Sequence, residues 1–350
     1  MPKPTPRASA APLTFRGAPG SPYTRKMLAL LRYRRIAYRF LIGRHDADDG
    51  WPKPKVALLP TFYLPNERGE LEAVVDSTPL IRRIEREFAD RRVVPDDPVV
   101  RFVDELVEDY ADEWLTKAMF HYRWRYAADI ERAGEILPRW TGVTADELQM
   151  QKSKRFIQRR QIERLYVVGS NDTTAPVIEA SYRRFLGTFA RLLERQPFLF
   201  GARPGAADFA AYGQLTQLAH FDPTPTALTL DVAPRVFAWV DVVDDLSGLE
   251  VEATTWTPRV ELRERLGELL SEIGCTYAPF MVANASALAR GAADVTLTID
   301  GKPWTQQPFP YQGRCVDWLR ASYAALASND RRAVDAVVAG TGCEVLFEQP

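Results

Sequence analysis

The stretch Leu13-Thr14-Phe15-Arg16-Gly17-Ala18-Pro19-Gly20-Ser21-Pro22-Tyr23-Thr24-Arg25-Lys26-Met27 decides the fold. Leu13 to Arg16 is a short strand-like run that stops at Gly17, and Ala18-Pro19-Gly20 is a turn cluster. Ser21-Pro22 then opens a helix. Serine suits the N-cap, where its oxygen can accept from a free backbone N–H, and proline suits the first helical position, where a missing N–H costs nothing. Met27, Leu28, Leu30 and Leu31 supply the apolar face, and the basic turn Arg32 to Arg35 lies beside the carbonyl end of the dipole. Ile36 to Ile42 reads as a second strand. The result is strand, helix, strand within about thirty residues, the size of a βαβ unit.

Working outward, Trp51 to Pro54 is a proline-broken loop leading to the strand-like apolar run Val56 to Leu59, which Pro60 closes. Thr61 to Leu64 and Leu71 to Val75, joined by the turn Asn66-Glu67-Arg68-Gly69, read as a β-hairpin. Asp76-Ser77-Thr78-Pro79 caps another helix, Leu80 to Phe88, whose Leu80, Ile81, Ile84 and Phe88 keep helical spacing. A ββα unit therefore follows the βαβ unit.

Arg91 to Pro98 is polar and proline-punctuated, as a linker is. Beyond it the period is helical. Phe102, Val103, Leu106, Val107, Tyr110, Trp114, Leu115 and Ala118 make a long apolar stripe, with Asp104, Glu108, Asp109 and Asp112 off it. Further helices are expected near 145–167, 176–195, 206–221 and 234–246. The tail is less regular, with helical patterns near 258–273, 279–290, 314–326 and 330–338. Between them Val295 to Ile299 and Lys302 to Gln306 suggest a hairpin, weakened by Pro303. The expected organisation is a disordered leader over 1–12, an α/β unit over 13–90, an all-helical domain over 98–250, and a mixed α/β extension over 251–350 packed on the helical domain.

Composition sets the outer limits. With 350 residues, 46% of them hydrophobic and 26% charged, the chain can bury a large core and is not disordered as a whole. Its 45 basic and 46 acidic residues leave a net charge of -1, which argues against nucleic acid or an anionic membrane as a partner. No apolar run approaches a membrane span. Three cysteines, Cys275, Cys315 and Cys343, make no disulfide framework and suit a reducing, cytoplasmic setting. His45, His121 and His220 are far apart and form no metal-ligand spacing with them, so no metal is expected. Phosphate-loop, dinucleotide-binding and nucleophile-elbow motifs are absent.

Three features of the N-terminal unit carry chemistry. Ser21 presents a hydroxyl at a helix start, where free N–H groups and the positive dipole end favour an anion. A cis bond at Pro60 would leave the neighbouring backbone N–H and C=O free for an extended peptide ligand. At the next helix start, Ser77 and nearby amides could hold a carboxylate while Asp76 receives an ammonium. Each has a plainer reading as a cap or turn residue; their order sets them apart.

That order resembles the cytosolic glutathione transferase family. Ser21-Pro22-Tyr23-Thr24-Arg25-Lys26 is similar to the helix start of its Ser/Cys type, Leu59-Pro60 to its cis-proline, and Asp76-Ser77 to the pair that grips the γ-glutamyl group. Phe198 to Phe209 and Pro234 to Trp239 are similar to two later helical signatures. The likeness runs from about Leu13 to Leu246. It implies a thioredoxin-like N-terminal domain, an all-α C-terminal domain, glutathione as co-substrate in the cleft between them, and a homodimer. Two departures stand out: the hairpin between Pro60 and Asp76 is a few residues longer, and Gly205 stands where a Ser or Thr cap ahead of Asp208 is usual, which weakens that capping box.

The reading that follows is an enzyme that activates the glutathione thiol for attack on a small apolar electrophile. A free thiol has a pKa near ~8.5, so stabilising the thiolate is the task of the site, and Ser21 is the residue for it. No cysteine lies in the N-terminal unit, which disfavours a mixed-disulfide mechanism. Tyr23 and Thr24 are fallback hydroxyls. Lys55, Leu59, Pro60, Asp76 and Ser77 are the glutathione contacts, Lys55 for the glycyl carboxylate. Tyr23, Trp114, Met119, Tyr122, Trp124 and Tyr212 are candidates for the second-substrate pocket. The alternative is a scaffold of the same fold that binds without turnover.

Overall fold

The computed structural model describes residues 11–43, 45, 49–251 and 256–348. The leader expected over 1–12 lies, except for its last two residues, outside them. Strand β1 (Leu13–Gly17) leads into helix α1 (Pro22–Tyr33) and strand β2 (Tyr38–Ile42), which runs parallel to β1. Strands β3 (Thr61–Pro65) and β4 (Leu71–Val74) form the antiparallel hairpin, and helix α2 (Ser77–Glu87) follows. The sheet order is β2-β1-β3-β4, with β3 antiparallel to β1. Phe15 of β1 stacks on Phe62 of β3 at 4.6 Å between ring centroids, fixing the register of the two central strands. The run Val56 to Leu59 is not a strand; Val56 and Leu58 stand exposed in a loop, because β3 begins only after Pro60.

Helices α3 (Pro98–Tyr110) and α4 (Thr116–Arg125) are continuous through a π-helical turn, Ala111–Leu115. Two helices go beyond the sequence reading. One is α5 (Ala127–Arg139), with Pro138 in its last turn, and the other is α9 (Pro223–Val232), which begins on a proline. Prolines lower helix propensity inside a run, but they are tolerated in the first turn, where α9 places its own. Helices α6 (Glu147–Ile162), α7 (Ala175–Leu193), α8 (Ala206–Leu218) and α10 (Pro234–Asp244) occupy the expected segments. The cap of α8 is stronger than Gly205 suggests. Asp208 accepts from the Gly205 N–H at 2.9 Å and from the Leu199 N–H at 2.8 Å, so the carboxylate half of the box is complete.

The C-terminal hundred residues form α11 (Leu262–Cys275), α12 (Tyr277–Ala289), the hairpin β5 (Val295–Ile299) with β6 (Lys302–Gln306), α13 (Pro310–Ala325) and α14 (Ser328–Val338). Ser181 of α7 receives a hydrogen bond from the Trp114 indole and donates to Glu272 of α11, both at 2.7 Å. Trp304 of β6 packs against Trp114 and Phe280, and Arg184 of α7 pairs with Glu272. One hydrophobic core runs from Phe15 to Leu346. All three cysteines are free. No helix among the described residues is long and apolar enough to cross a membrane.

The α/β unit meets the helices where α1 crosses α8. Gly213 makes that crossing possible: a Cβ there would lie 2.5 Å from the Pro22 carbonyl oxygen and 3.1 Å from the Lys26 Cβ. Backbone cannot yield as a flexible side chain does, so added volume must push the helices apart. Gly213→Ala is expected to cost about 1–3 kcal/mol of stability by overpacking, measured as a lower urea midpoint with unchanged slope.

Candidate functional site

The three N-terminal features meet at one end of the sheet, where β1 and β4 end and β3 begins. Ser21 caps α1, with extended backbone angles, and its Oγ accepts from the Thr24 N–H at 3.2 Å. The same hydroxyl donates to the carbonyl of Leu59 at 3.1 Å. The Leu59–Pro60 bond is cis. Leu59 is half-buried, and its N–H has no hydrogen-bond partner among the described residues. An extended ligand segment could therefore pair with the backbone at this point, next to the positive end of the α1 dipole.

Asp76 stands at the N-cap of α2 with φ 84°, a conformation that side chains other than glycine rarely adopt. Such a backbone costs about 1–3 kcal/mol and concentrates where a side chain must be aimed. Here the carboxylate does not cap its own helix; it accepts from the hydroxyl of Tyr311 at 2.8 Å. Burial raises the Asp76 pKa, and the Tyr311 hydrogen bond and the nearby Lys26 charge offset part of that rise. Beside it, Ser77 accepts from the Lys26 ammonium at 3.3 Å, which leaves its own proton for an anion.

Lys26 is the residue that the sequence reading passed over. It lies on α1 five positions after Ser21, fully buried, and donates to Glu108 at 2.8 Å and Asp112 at 2.6 Å. Arg82 of α2 donates to the other oxygen of Glu108 at 3.0 Å. Burial alone would lower the Lys26 pKa; Asp112 and Glu108 reverse this and hold it above the usual lysine range. Asp104, Glu108 and Asp112, expected off the apolar stripe, are buried instead. The face of α3 that carries them is covered by α1, α2 and α8, and the line Arg101, Glu105 and Asp109 is the side left at least partly open. The signal was present as a lysine one turn from Pro22 and from Leu30 on the inner face of α1, with acidic residues four apart at Glu108 and Asp112.

The remaining candidates take different places. Tyr23 is half-buried and donates to the Asp112 carbonyl at 2.9 Å. Burial, then Glu113 and Asp112, push its pKa well above the ordinary phenol value, so it is a poor source of charge stabilisation. The Thr24 hydroxyl accepts from the Ala18 N–H at 3.4 Å and is buried. Lys55 is exposed in the loop before Pro60.

The pocket candidates on the helices are core residues. Trp114 is enclosed by Phe280 and Trp304, and Tyr122 by Tyr126 and Tyr182. Trp124 sits in a small cluster with Ala133 and Phe221, Met119 is buried, and the buried Tyr212 donates to Asp244. The reason is what packs on them. Aromatic residues of the extension fill the space beside Trp114, and α5 closes over Trp124, so these rings have no free face for a substrate. Among the described residues no group of histidine, cysteine or acidic side chains could hold a metal ion.

Comparison with known proteins gives this arrangement its family. The N-terminal domain of glutathione S-transferases matches residues 15–92, and the C-terminal domain of the same family matches residues 157–241. Residues 15–92 and 157–241 thus carry the two domains of the glutathione S-transferase family, a thioredoxin-like domain and an all-α domain, and a further C-terminal α/β region follows them. No curated protein matches. Similar solved structures include a GST-like protein from Pseudomonas syringae, at 17% identity and TM-score 0.43, with 67% of each chain covered. A Tau class glutathione S-transferase from mango, Mangifera indica, is 15% identical with TM-score 0.41, over 67% of this chain and 88% of that one. A glutathione transferase from Burkholderia graminis, with two glutathione molecules bound per subunit, is 15% identical with TM-score 0.43, over 68% and 85%.

The Lys26 cluster yields a direct expectation. Removing one partner of a buried ion pair strands the other charges, at a cost of about 3–5 kcal/mol. Lys26→Met is expected to lose stability on that scale in urea unfolding at neutral pH. Lys26→Arg, which keeps the charge in a larger group, is expected to lose less.

Proposed function

We propose that this protein binds glutathione in the cleft beside α1 and that Ser21 favours its thiolate. The observation that carries this reading is the meeting of Ser21, at the α1 N-terminus, with the Leu59 backbone ahead of a cis-proline. A peptide thiol whose backbone pairs with Leu59 would bring its sulfur towards the Ser21 hydroxyl and the free N–H groups of the first α1 turn. Hydrogen bonds to an ionised acceptor are stronger than those between neutral groups, so both donors favour thiolate over thiol. Ser77 and the α2 N-terminus take the γ-glutamyl carboxylate, and Asp76 takes its ammonium. Lys55, exposed in the neighbouring loop, is placed to meet the glycyl carboxylate if that loop closes over the ligand.

The thiolate would then attack the electrophilic carbon of a small apolar second substrate, forming the carbon–sulfur bond as the leaving group departs with its electron pair. With Trp114, Met119, Tyr122, Trp124 and Tyr212 in the core, that substrate would have to meet the sulfur at the open side of the cleft. We propose that the chain functions as a cytoplasmic homodimer built from units over 13–90, 98–250 and 251–350. A second reading also has an observation behind it. The Ser21 proton is engaged with Leu59 and Asp76 with Tyr311, which favours a scaffold that holds a ligand without turning it over.

Isothermal titration with glutathione, followed by an aryl-halide conjugation assay, separates the two. For the enzyme, Ser21→Ala is expected to lower kcat/KM by roughly 100-fold, the lower end of the range for loss of a charge-stabilising donor. Its pH–rate profile should move up towards the free thiol value of about 8.5. Binding without conjugation supports the scaffold, and absence of binding removes both readings.

A further inference from the structure

The C-terminal extension reaches the start of α2 through one side chain. Tyr311, in the first turn of α13, donates its hydroxyl to Asp76 at 2.8 Å. The backbone around it is anchored independently. Asn284 of α12, fully buried, accepts from the Phe309 N–H at 2.8 Å and donates to the Phe309 carbonyl at 3.1 Å. Gln312 donates to the Glu113 carbonyl at 3.3 Å. The Tyr311 side chain is only half-buried, lying edge-on to the exposed Trp318 with the Arg314 guanidinium over its ring. A turn of the ring towards solvent would therefore break its contacts with Trp318, Arg314 and the core edge but leave the start of α13 in place.

We propose that Tyr311 gates the ammonium position of the ligand site, so that a γ-glutamyl ligand must exchange the phenol hydrogen bond on Asp76 for its own ammonium. The proposal rests on the glutathione reading above and adds a regulator to it. Asp76 is a partly buried carboxylate whose present partner carries no charge. Of the nearby cations, Lys26 is committed to Glu108 and Asp112 and Arg82 to Glu108, while Arg314 lies over the Tyr311 ring. An ammonium is the stronger partner for such a carboxylate, and to take the lone-pair position that the phenol now holds on Oδ2 it must displace the hydroxyl. Each binding event therefore carries the loss of one phenol–carboxylate bond. A ligand without the ammonium leaves Tyr311 where it is and carries no such loss. The extension thereby tunes affinity for the amino end of the ligand while leaving the thiol end untouched.

Titration calorimetry on the full chain tests this with two proteins, the natural one and Tyr311→Phe, and two ligands, glutathione and its analogue lacking the α-amino group. Tyr311→Phe is expected to bind glutathione about tenfold more tightly, the equivalent of ~1.4 kcal/mol, and to leave affinity for the desamino analogue unchanged. An equal gain for both ligands would mean steric relief and would overturn the gate. So would unchanged or weaker glutathione binding in Tyr311→Phe, the latter meaning that the hydroxyl positions Asp76 for the ligand. If neither protein binds glutathione, the underlying reading fails and the gate fails with it; binding by both without the predicted gain removes the gate alone.

Discussion

A single buried ammonium holds this structure in register. Lys26 sits on the apolar side of α1, and removing its charge from water is unfavourable unless oppositely charged groups surround it. Glu108 and Asp112 do so from α3 and its π-helical extension, and Ser77 completes the set from α2. The three helix segments that frame the cleft are therefore fixed relative to one another by one residue. Hydrophobic contacts alone would leave more freedom, because burial is non-directional and tolerates small slides. The ion cluster and the Gly213 crossing do not.

Consequences for the site follow from this. Because Lys26 donates to Ser77, the serine is left to donate outward, and because α1 is held in place, Ser21 stays within hydrogen-bond reach of Leu59. The left-handed backbone at Asp76 is a local cost accepted where a carboxylate is turned away from its own helix. The extension adds a second layer. It buries Trp114 against Trp304 and Phe280, and it sets a tyrosine hydroxyl on the Asp76 carboxylate.

Much of the fold was legible because its signals are local. Ser21-Pro22 is a cap-and-first-turn pair, Asn66 to Gly69 is a turn, and Leu80, Ile81 and Ile84 mark a helical face; each depends on neighbours a few residues away. Helices α5 and α9 escaped because proline obscures the period at their ends, and the strand expected at Val56 dissolved into a loop. The burial of Asp104, Glu108 and Asp112 was hidden for a different reason. A helix pattern shows which residues differ from the apolar face, but the number of faces covered depends on what else packs there.

The sequence by itself determined the βαβ–ββα order, the helical region after it, and the positions of Ser21, Leu59-Pro60 and Asp76-Ser77, since caps, turns and periodicity act over short range. Only the tertiary structure decided what those residues touch. Tyr311 meets Asp76 across 235 positions of chain and Lys26 meets Asp112 across 86, and no spacing rule connects partners so distant. The same is true of the aromatic residues at 114, 122 and 124, whose helical spacing suits a pocket or a core equally well. The extension made Trp114 core, while α7 covers Tyr122 and α5 covers Trp124, and a ring is available to a ligand only where no other part of the chain covers it.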